Sequence, residues 1–295
     1  MSILVDFSYH KPKALDEALG LLSRFNGRAR LLAGGTDLVC GLRGEQPDLE
    51  AVIDLKGLPG LDGITQVDQV LRIGALATFT ELAESPLVRQ HAPLLVDAAL
   101  QMGSMGIRNR ATLVGNLCSA VPCCDGAPPL LAMDGRLLLA GPSGRRSLPI
   151  HDWFLGPRCT ALQSGELVLG LEVPLLGAQG AAYVKLGRTC GQDLAQVAVA
   201  LLALPGGTFR VSFGAVAPRP LRGVRTEQLL SGGPRDAQHL ASVAQVAREE
   251  VSPIDDVRAS KAYRLHMTGV MVQRAVAVAL ERLEGRGPAL GTTLI

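Results

Sequence analysis

The first third of the chain alternates between a helical and a strand-like spacing of hydrophobic positions. Residues 13–25 are predicted to form an amphipathic helix, with apolar side chains at Ala14, Ala18, Leu21, Leu22 and Phe25. The apolar run within ARLLAGGTDLV (29–39) predicts a buried strand that ends in two glycines, and AVIDL (51–55) predicts a second buried strand. This order predicts an α/β unit whose functional loop follows a strand's C-terminal end.

The middle of the chain combines a hairpin, a helix and a long polar segment. GITQVDQVLRIGA (63–75) predicts a hairpin with its turn at VDQ, and residues 80–96 predict a helix with a break at Ser85-Pro86. Residues 101–129 are rich in Gly, Ser, Asn and Pro but carry little charge. We therefore expect a loop that stays buried, and long loops inside compact domains are usually functional.

The sequence pattern changes after residue 174, and LLGAQG (175–180) is the best candidate for a linker between two domains. Three strands in an antiparallel meander are predicted next, at YVKLGRT (183–189), DLAQVAVALLA (193–203) and TFRVSFGAVAP (208–218). Helices are predicted at 237–250 and 257–283. On the last helix, Leu265, Val272, Val276 and Leu283 share one face beside Gly269. This face fits the core of its own domain better than an assembly surface.

Composition excludes several classes of protein. With 295 residues, 47% of them hydrophobic and 19% charged, the chain fits an ordered globular protein of two domains. A net charge of +2 gives no electrostatic case for nucleic acid or for an anionic membrane. The opening MSILVDFSYH lacks the pattern of a signal peptide, and apolar runs such as 195–204 are too short to span a bilayer. We expect a soluble, cytoplasmic protein.

Six cysteines and five histidines offer little metal chemistry. The cysteines fit no disulfide framework and should be reduced in the cytoplasm. Cys118, Cys123 and Cys124 lie close together, but their spacing is unlike a zinc ribbon or a ferredoxin. Small buried thiols are favoured over cluster ligands, although the sequence leaves both open. The histidines show no paired spacing, so we expect neither a metal site nor a catalytic residue of this chain.

Two glycine-bearing segments are candidates for binding phosphate. AGGTD (33–37) and ATLVGN (111–116) each combine glycine with a threonine hydroxyl. Backbone amides freed by glycine can surround a pyrophosphate. Neither segment matches a Walker loop or a Rossmann fingerprint, so a dinucleotide would need another architecture. Two unrelated tight turns remain the alternative.

Four charged residues have both a functional and an ordinary interpretation. Asp125 sits in the buried loop, where it could accept hydrogen bonds from ribityl or ribose hydroxyls, or form an Asx turn before Pro128-Pro129. Lys185 lies among apolar neighbours in AAYVKLG, so it could face a cofactor or point to solvent. Arg108 and Arg110 could neutralise a phosphate or face water.

Five segments, in order, give the chain a family resemblance. They are LLAGGTDLV, IRNRATLVGNLCSAVPCCDGAPPLLAM, YVKLGRTCGQDLAQVAVA, FGAVAPRPLR and DVRASKAYRLHM. With them, the sequence resembles, nearly end to end, the FAD-binding subunits of molybdenum-containing hydroxylases. Carbon monoxide dehydrogenase, xanthine dehydrogenase and 4-hydroxybenzoyl-CoA reductase contain such subunits or domains. Five segments in the right order are far more specific than either glycine loop alone.

The resemblance implies an α+β fold of the vanillyl-alcohol-oxidase type. Residues 1–176 would be the FAD-binding domain, with α/β subdomains at about 1–58 and 59–176. Residues 177–295 would form a C-terminal domain of a three-stranded antiparallel sheet and helices.

The resemblance also assigns site residues, all of them to the cofactor FAD. Ala33, Gly34, Gly35, Thr36 and Asp37 would meet the pyrophosphate from one side, and Thr112, Gly115 and Asn116 from the other. Asp125 would hold the ribityl chain, and Lys185 would lie near the isoalloxazine. Two positions depart from the family: Val114 replaces a usual Gly, and Val121 replaces a common Ser. Both put the details of the second loop in doubt.

The function that the resemblance implies is electron transfer. A molybdenum-cofactor subunit would oxidise the substrate, a [2Fe-2S] subunit would carry the electrons, and FAD here would pass them to an external acceptor. Two alternatives stay open. One is a self-sufficient flavin oxidase or reductase with its own small-molecule substrate, and the other is an assembly module that has lost its flavin.

Overall fold

The computed structural model describes residues 6–44, 48–189 and 192–294. The chain begins with a small parallel sheet in the order β1-β3-β2. Its elements are β1 (Ser8–His10), α1 (Leu15–Phe25), β2 (Ala29–Leu32), α2 (Leu38–Gly41) and β3 (Ala51–Asp54). The predicted helix and both strands are confirmed. The burial expected of β2 is wrong, because β2 is an edge strand and only the central β3 is buried throughout.

A five-stranded antiparallel sheet follows, in the order β4-β5-β10-β6-β7. Its strands are β4 (Ile64–Val67), β5 (Val70–Gly74), β6 (Arg136–Gly141), β7 (Gly144–Pro149) and β10 (Leu167–Pro174). A small hairpin of β8 (Phe154–Gly156) and β9 (Cys159–Thr160) lies between β7 and β10. The predicted hairpin of β4 and β5 is confirmed, with its turn at Asp68, whose φ is +50°.

Six short helices connect β5 to β6. They are α3 (Phe79–Glu84), α4 (Pro86–His91), α5 (Pro93–Gln101), α6 (Met105–Arg108), α7 (Leu113–Ser119) and α8 (Ala127–Ala132). The break predicted at Ser85-Pro86 is confirmed, because Ser85 caps α4 and Pro86 is its first residue. The second break, at Pro93, was not predicted, so the helix expected over 80–96 is wrong in part. The irregular loop predicted over 101–129 is also wrong in part, because it contains α6, α7 and the start of α8.

The last part of the chain is an antiparallel sheet backed by helices. Its elements are β11 (Gly180–Leu186), β12 (Val197–Leu204), β13 (Thr208–Gly214), β14 (Leu221–Arg222), α9 (Val224–Gly232), α10 (Ala237–Glu250) and α11 (Lys261–Leu283). The predicted three-stranded meander is confirmed, and the two-residue β14 extends it. The pattern missed α9. The side chain of Ser260 caps α11, which therefore begins later than predicted.

The C-terminal sheet packs on both of its faces. One face, with Val184, Val199 and Val211, joins the core formed with α10 and α11. The other, with Tyr183, joins the core of the five-stranded sheet and helices α3 to α8. Val272 and Val276 on α11 are buried in the first of these cores, so the core interpretation of that helix face is confirmed. Across the described ranges, no helix is long and apolar enough to cross a membrane.

Candidate functional site

The two glycine-bearing segments line one large cavity, with a volume of about 900 Å³. This lies at the upper end of the range for small-molecule and cofactor sites. Nine of the ten predicted site residues contribute to its walls: Ala33, Gly34, Gly35, Thr36, Asp37, Thr112, Gly115, Asn116 and Asp125. The structure therefore brings the two segments together, so they are not unrelated turns.

The first segment is a turn that leads from β2 into α2. Gly35 has a φ of +81°, a conformation that side-chain-bearing residues rarely adopt. The Nζ of Lys56 donates to the carbonyl oxygen of Ala33 over 3.1 Å. The same ammonium lies 2.7 Å from a carboxylate oxygen of the buried Asp54 at the end of β3. The turn is therefore fixed at its start by the neighbouring strand.

Gly34 is where the two segments touch. A Cβ built on Gly34 would lie 1.9 Å from the carbonyl oxygen of Arg110 and 3.1 Å from the Cα of Ala111. Both are backbone atoms, which cannot rotate away as a side chain could. The absence of a side chain at Gly34 is thus required by the approach of the second segment, which closes this wall of the cavity.

The second segment enters the helix α7 through Thr112. The Oγ1 of Thr112 accepts a hydrogen bond of 3.0 Å from the backbone N–H of Gly115, which makes Thr112 the N-cap of α7. The hydroxyl proton of Thr112 remains available to donate to a bound group. Asn116 turns inward, and its Oδ1 accepts from the N–H of Gly126 over 2.9 Å. The loop that carries Asp125 is thereby attached to α7.

Asp37 and Ser119 connect the two segments through their side chains. The hydroxyl of Ser119 donates to a carboxylate oxygen of Asp37 and lies 3.1 Å from the carbonyl oxygen of Gly115. Asp37 precedes α2 and Ser119 ends α7. The cavity wall is consequently one connected unit rather than two independent loops.

Asp125 is held from the C-terminal sheet. Its carboxylate accepts a hydrogen bond of 2.7 Å from the hydroxyl of Tyr183 and one of 2.9 Å from the Nζ of Lys185. Only 6% of Asp125 and 7% of Lys185 are exposed, so this is a buried ion pair. Burial raises the pKa of Asp125, while the charge and hydrogen bond of Lys185 and the hydroxyl of Tyr183 act in the opposite direction.

These contacts decide between the alternatives that the sequence left open. The carboxylate of Asp125 bonds to β11, and the N–H of Gly126 bonds to Asn116, so the Asx-turn interpretation of Asp125 is not supported. The solvent-facing interpretation of Lys185 is wrong. Lys185 is not among the residues that line the cavity, and its Nζ lies 2.9 Å from a carboxylate oxygen of Asp125.

Tyr183 was not predicted as a site residue from the sequence. It lies two residues before Lys185 on β11, on the same face of the strand. That spacing is the signal that could have found it. The guanidinium of Arg108 donates to the carbonyl oxygens of Met102 and Gly103, each over 3.1 Å, so it is engaged in bonds to the backbone and not directed at a phosphate.

The two departures from the family pattern are accommodated in the wall. Val114 is buried inside the helix α7, where no positive φ is needed. Val121 is half-buried and packs against the larger core. Neither substitution closes the cavity.

The three neighbouring cysteines differ in environment. Cys124 is buried, Cys123 is half-buried and Cys118 is exposed, so the expectation of small buried thiols is wrong for Cys118. Within the described ranges, no three His, Cys, Asp or Glu side chains form a group that could hold a metal ion. Cys190 lies outside those ranges.

The cavity fits a dinucleotide such as FAD. Its size, the left-handed turn at Gly35 and the helix cap at Thr112 supply the space and the backbone donors that a pyrophosphate needs. Each carboxylate oxygen of Asp125 uses one of its two acceptor positions in the protein, which leaves capacity for a hydroxyl of a ligand.

Comparison with known proteins gives the same answer over nearly the whole chain. Residues 5–176 match the family described as FAD binding domain in molybdopterin dehydrogenase, and residues 181–279 match the carbon monoxide dehydrogenase flavoprotein C-terminal domain. The xanthine dehydrogenase FAD-binding subunit of Escherichia coli O157:H7 is 33% identical, covering 96% of this chain and 99% of that protein. The carbon monoxide dehydrogenase medium chain of Hydrogenophaga pseudoflava is 35% identical over 94% of this chain and 98% of its own length.

Solved structures confirm the fold. The carbon monoxide dehydrogenase of Hydrogenophaga pseudoflava superposes with a TM-score of 0.90 at 34% identity, covering 95% of this chain and 99% of that one. The quinoline 2-oxidoreductase of Pseudomonas putida 86 gives a TM-score of 0.88 at 27% identity, with 97% and 99% covered. The predicted fold class, FAD as cofactor and the family resemblance are confirmed, and the self-sufficient flavin enzyme fits less well. The chain belongs to the family of FAD-binding subunits of molybdenum-containing dehydrogenases and hydroxylases.

Proposed function

We propose that this subunit receives electrons from a [2Fe-2S] subunit and passes them, through FAD held in the cavity, to an external acceptor. A molybdenum-cofactor subunit of the same complex would oxidise the substrate. The observation that carries the proposal is the single cavity shared by both glycine-bearing segments and Asp125. FAD supplies the redox chemistry, and the protein supplies binding, orientation and electrostatics.

The proposed contacts follow from the cavity wall. The segment 33–37 and the group Thr112, Gly115 and Asn116 are proposed to bind the pyrophosphate from opposite sides. Asp125 is proposed to accept a hydrogen bond from a ribityl hydroxyl. Lys185 is proposed to act at the isoalloxazine end of the site, where its ammonium also pairs with the Asp125 carboxylate over 2.9 Å.

We also propose the division into an FAD-binding domain at 1–176, with subdomains at about 1–58 and 59–176, and a C-terminal domain at 177–295. The bonds from Tyr183 and Lys185 to Asp125 mean that the second domain would complete the site of the first. A cytoplasmic location is proposed as well. The cysteines at positions 40, 118, 123, 124 and 159 are free thiols, which fits a reducing compartment.

Purification of the tagged chain from its native host, followed by metal analysis, tests the partnership. We expect two further subunits to co-purify, with molybdenum and iron present in the complex and FAD bound to this chain. Recovery of the chain alone, with FAD and with full activity toward a small organic substrate, would contradict the proposal. That result would support the self-sufficient flavin enzyme instead.

A further inference from the structure

The strand β11 supplies both protein partners of the Asp125 carboxylate. Tyr183 and Lys185 are two residues apart, so their side chains leave the same face of the strand. Tyr183 is fully buried and belongs to the larger core, which fixes its ring in place. Its hydroxyl donates to one oxygen of Asp125, while the Nζ of Lys185 donates to the other.

The end of helix α5 holds the strand in this position. The Nε2 of Gln101 donates to the carbonyl oxygen of Tyr183 over 2.8 Å, and the carbonyl oxygen of Gln101 accepts from Lys185 over 3.1 Å. The backbone N–H of Tyr183 donates to the buried Asp97 over 2.8 Å. Tyr183 is thus anchored through its backbone on both sides, and its hydroxyl has little freedom to leave Asp125.

We propose that Tyr183 is a positioning residue for the flavin cofactor: its hydroxyl orients the Asp125 carboxylate toward the cavity. The inference rests on the proposed function, because it requires Asp125 to contact the cofactor. Tyr183 is not itself among the residues that line the cavity, and its effect would be transmitted through Asp125.

The charge of Asp125 depends on few neighbours. Burial disfavours the ionised carboxylate, and the Lys185 ammonium and the Tyr183 hydroxyl favour it. Cys123 and Cys124 lie near the Tyr183 hydroxyl, Cys124 also lies near Asp125, and Arg258 approaches from the segment before α11, with its guanidinium 3.7 Å from the Sγ of Cys123. Burial raises the pKa of Cys124, and the nearby Asp125 charge raises it further, so Cys124 stays a neutral thiol.

Tyr183→Phe removes one hydrogen bond to the charged form of Asp125. Loss of a hydrogen bond to the charged form raises the pKa of a carboxyl group. As pH falls, protonation of Asp125 weakens FAD binding. We therefore expect the pH at which FAD affinity begins to fall to be higher in Tyr183→Phe than in the wild type, by about one to two units.

The measurement is the dissociation constant of FAD against pH for the flavin-stripped full chain. Tyr263→Phe is the control, because Tyr263 on α11 is exposed and does not line the cavity. It should leave the profile unchanged. Asp125→Asn, which cannot ionise, should bind FAD more weakly and show no such fall.

Coincident profiles for Tyr183→Phe and the wild type would overturn the inference while leaving the proposed function intact. Failure of the wild type to bind FAD would overturn the proposed function itself. If Tyr183→Phe does not fold, 3-fluorotyrosine replaces Tyr183 instead. The chain has three tyrosines, so Tyr9→Phe and Tyr263→Phe are introduced first to confine the label to Tyr183. Its more acidic hydroxyl should move the fall to lower pH, and an unmoved profile would contradict the inference.

Discussion

The two adjacent glycines of the first loop have different physical roles. Gly35 adopts a φ of +81°, which favours glycine because side-chain-bearing residues are strained there. Gly34 lies against the backbone of Arg110, where even a methyl group has no room. The sequence suggested that both glycines allow amides to approach a pyrophosphate. The contact between loops adds a second reason for Gly34, which no single segment of sequence could show.

Gly34→Ala should therefore separate the two loops. Overpacking of this kind typically costs about 1–3 kcal/mol of stability, and the displaced wall should weaken FAD binding. Gly20→Ala is the matched control, since a Cβ there meets nothing within 4 Å on the exposed side of α1. We expect it to retain FAD and to be as stable as the wild type or slightly more so. Thermal melting and flavin content check both variants, and a Gly34→Ala chain with full flavin content would contradict this account.

At the scale of single elements, the short helix α7 connects local capping to the cavity. Its N-cap Thr112 lies in the cavity wall, and its last residue Ser119 bonds to Asp37. Helix α11 offers a comparison, because its N-cap Ser260 accepts from the N–H of Tyr263 over 3.2 Å and is not among the cavity-lining residues.

Thr112→Val and Ser260→Ala should each cost about 1 kcal/mol of stability through loss of a helix cap. They should differ in cofactor binding, because only Thr112 offers a hydroxyl proton to the cavity. We expect Thr112→Val to weaken FAD binding and Ser260→Ala to leave it unchanged. Denaturant unfolding and flavin titration check the pair. Equal FAD affinities in the two variants would show that the Thr112 hydroxyl does not contact FAD.

Sequence pattern predicted elements well where hydrophobic periodicity was regular. The strands β11, β12 and β13 and the helix α10 lie close to their predicted positions. The pattern failed where short helices depend on caps and prolines, as in α6 and α7, because glycine and asparagine within them resemble a loop. The two glycine loops and Asp125 were recognisable from the five family segments. Tyr183 was not, since its role depends on a contact with a residue 58 positions away.

At the scale of the whole molecule, a buried ion pair connects the last helix, α11, to helix α5. The guanidinium of Arg282 on α11 lies 2.7 Å from the carboxylate of Asp97 on α5, which is completely buried. Asp97 also accepts from the N–H groups of Tyr183 and Gly291. The strand that orients Asp125 is therefore held by the same carboxylate.

Arg282→Ala would leave the Asp97 charge buried without its counter-charge. Breaking a buried pair in this way typically costs about 3–5 kcal/mol. We expect a large fall in melting temperature and, because β11 loses support, weaker flavin retention. Arg286→Ala is the control, since Arg286 pairs with Glu284 at the surface and such pairs contribute little. Similar melting temperatures for the two variants would show that the contact between Arg282 and Asp97 does not stabilise the fold.

This chain is expected to carry electrons and not to oxidise the substrate. The most direct measurement is the absorbance of its bound flavin, with the isolated chain and with the full complex. The isolated chain should be yellow and reducible by dithionite. It should not be reduced by heterocycles, aldehydes or carbon monoxide, whereas adding the molybdenum and iron–sulfur subunits should make its flavin reducible by the substrate of the complex. Turnover of a small organic substrate by the isolated chain, at an ordinary enzymatic rate, would contradict the account.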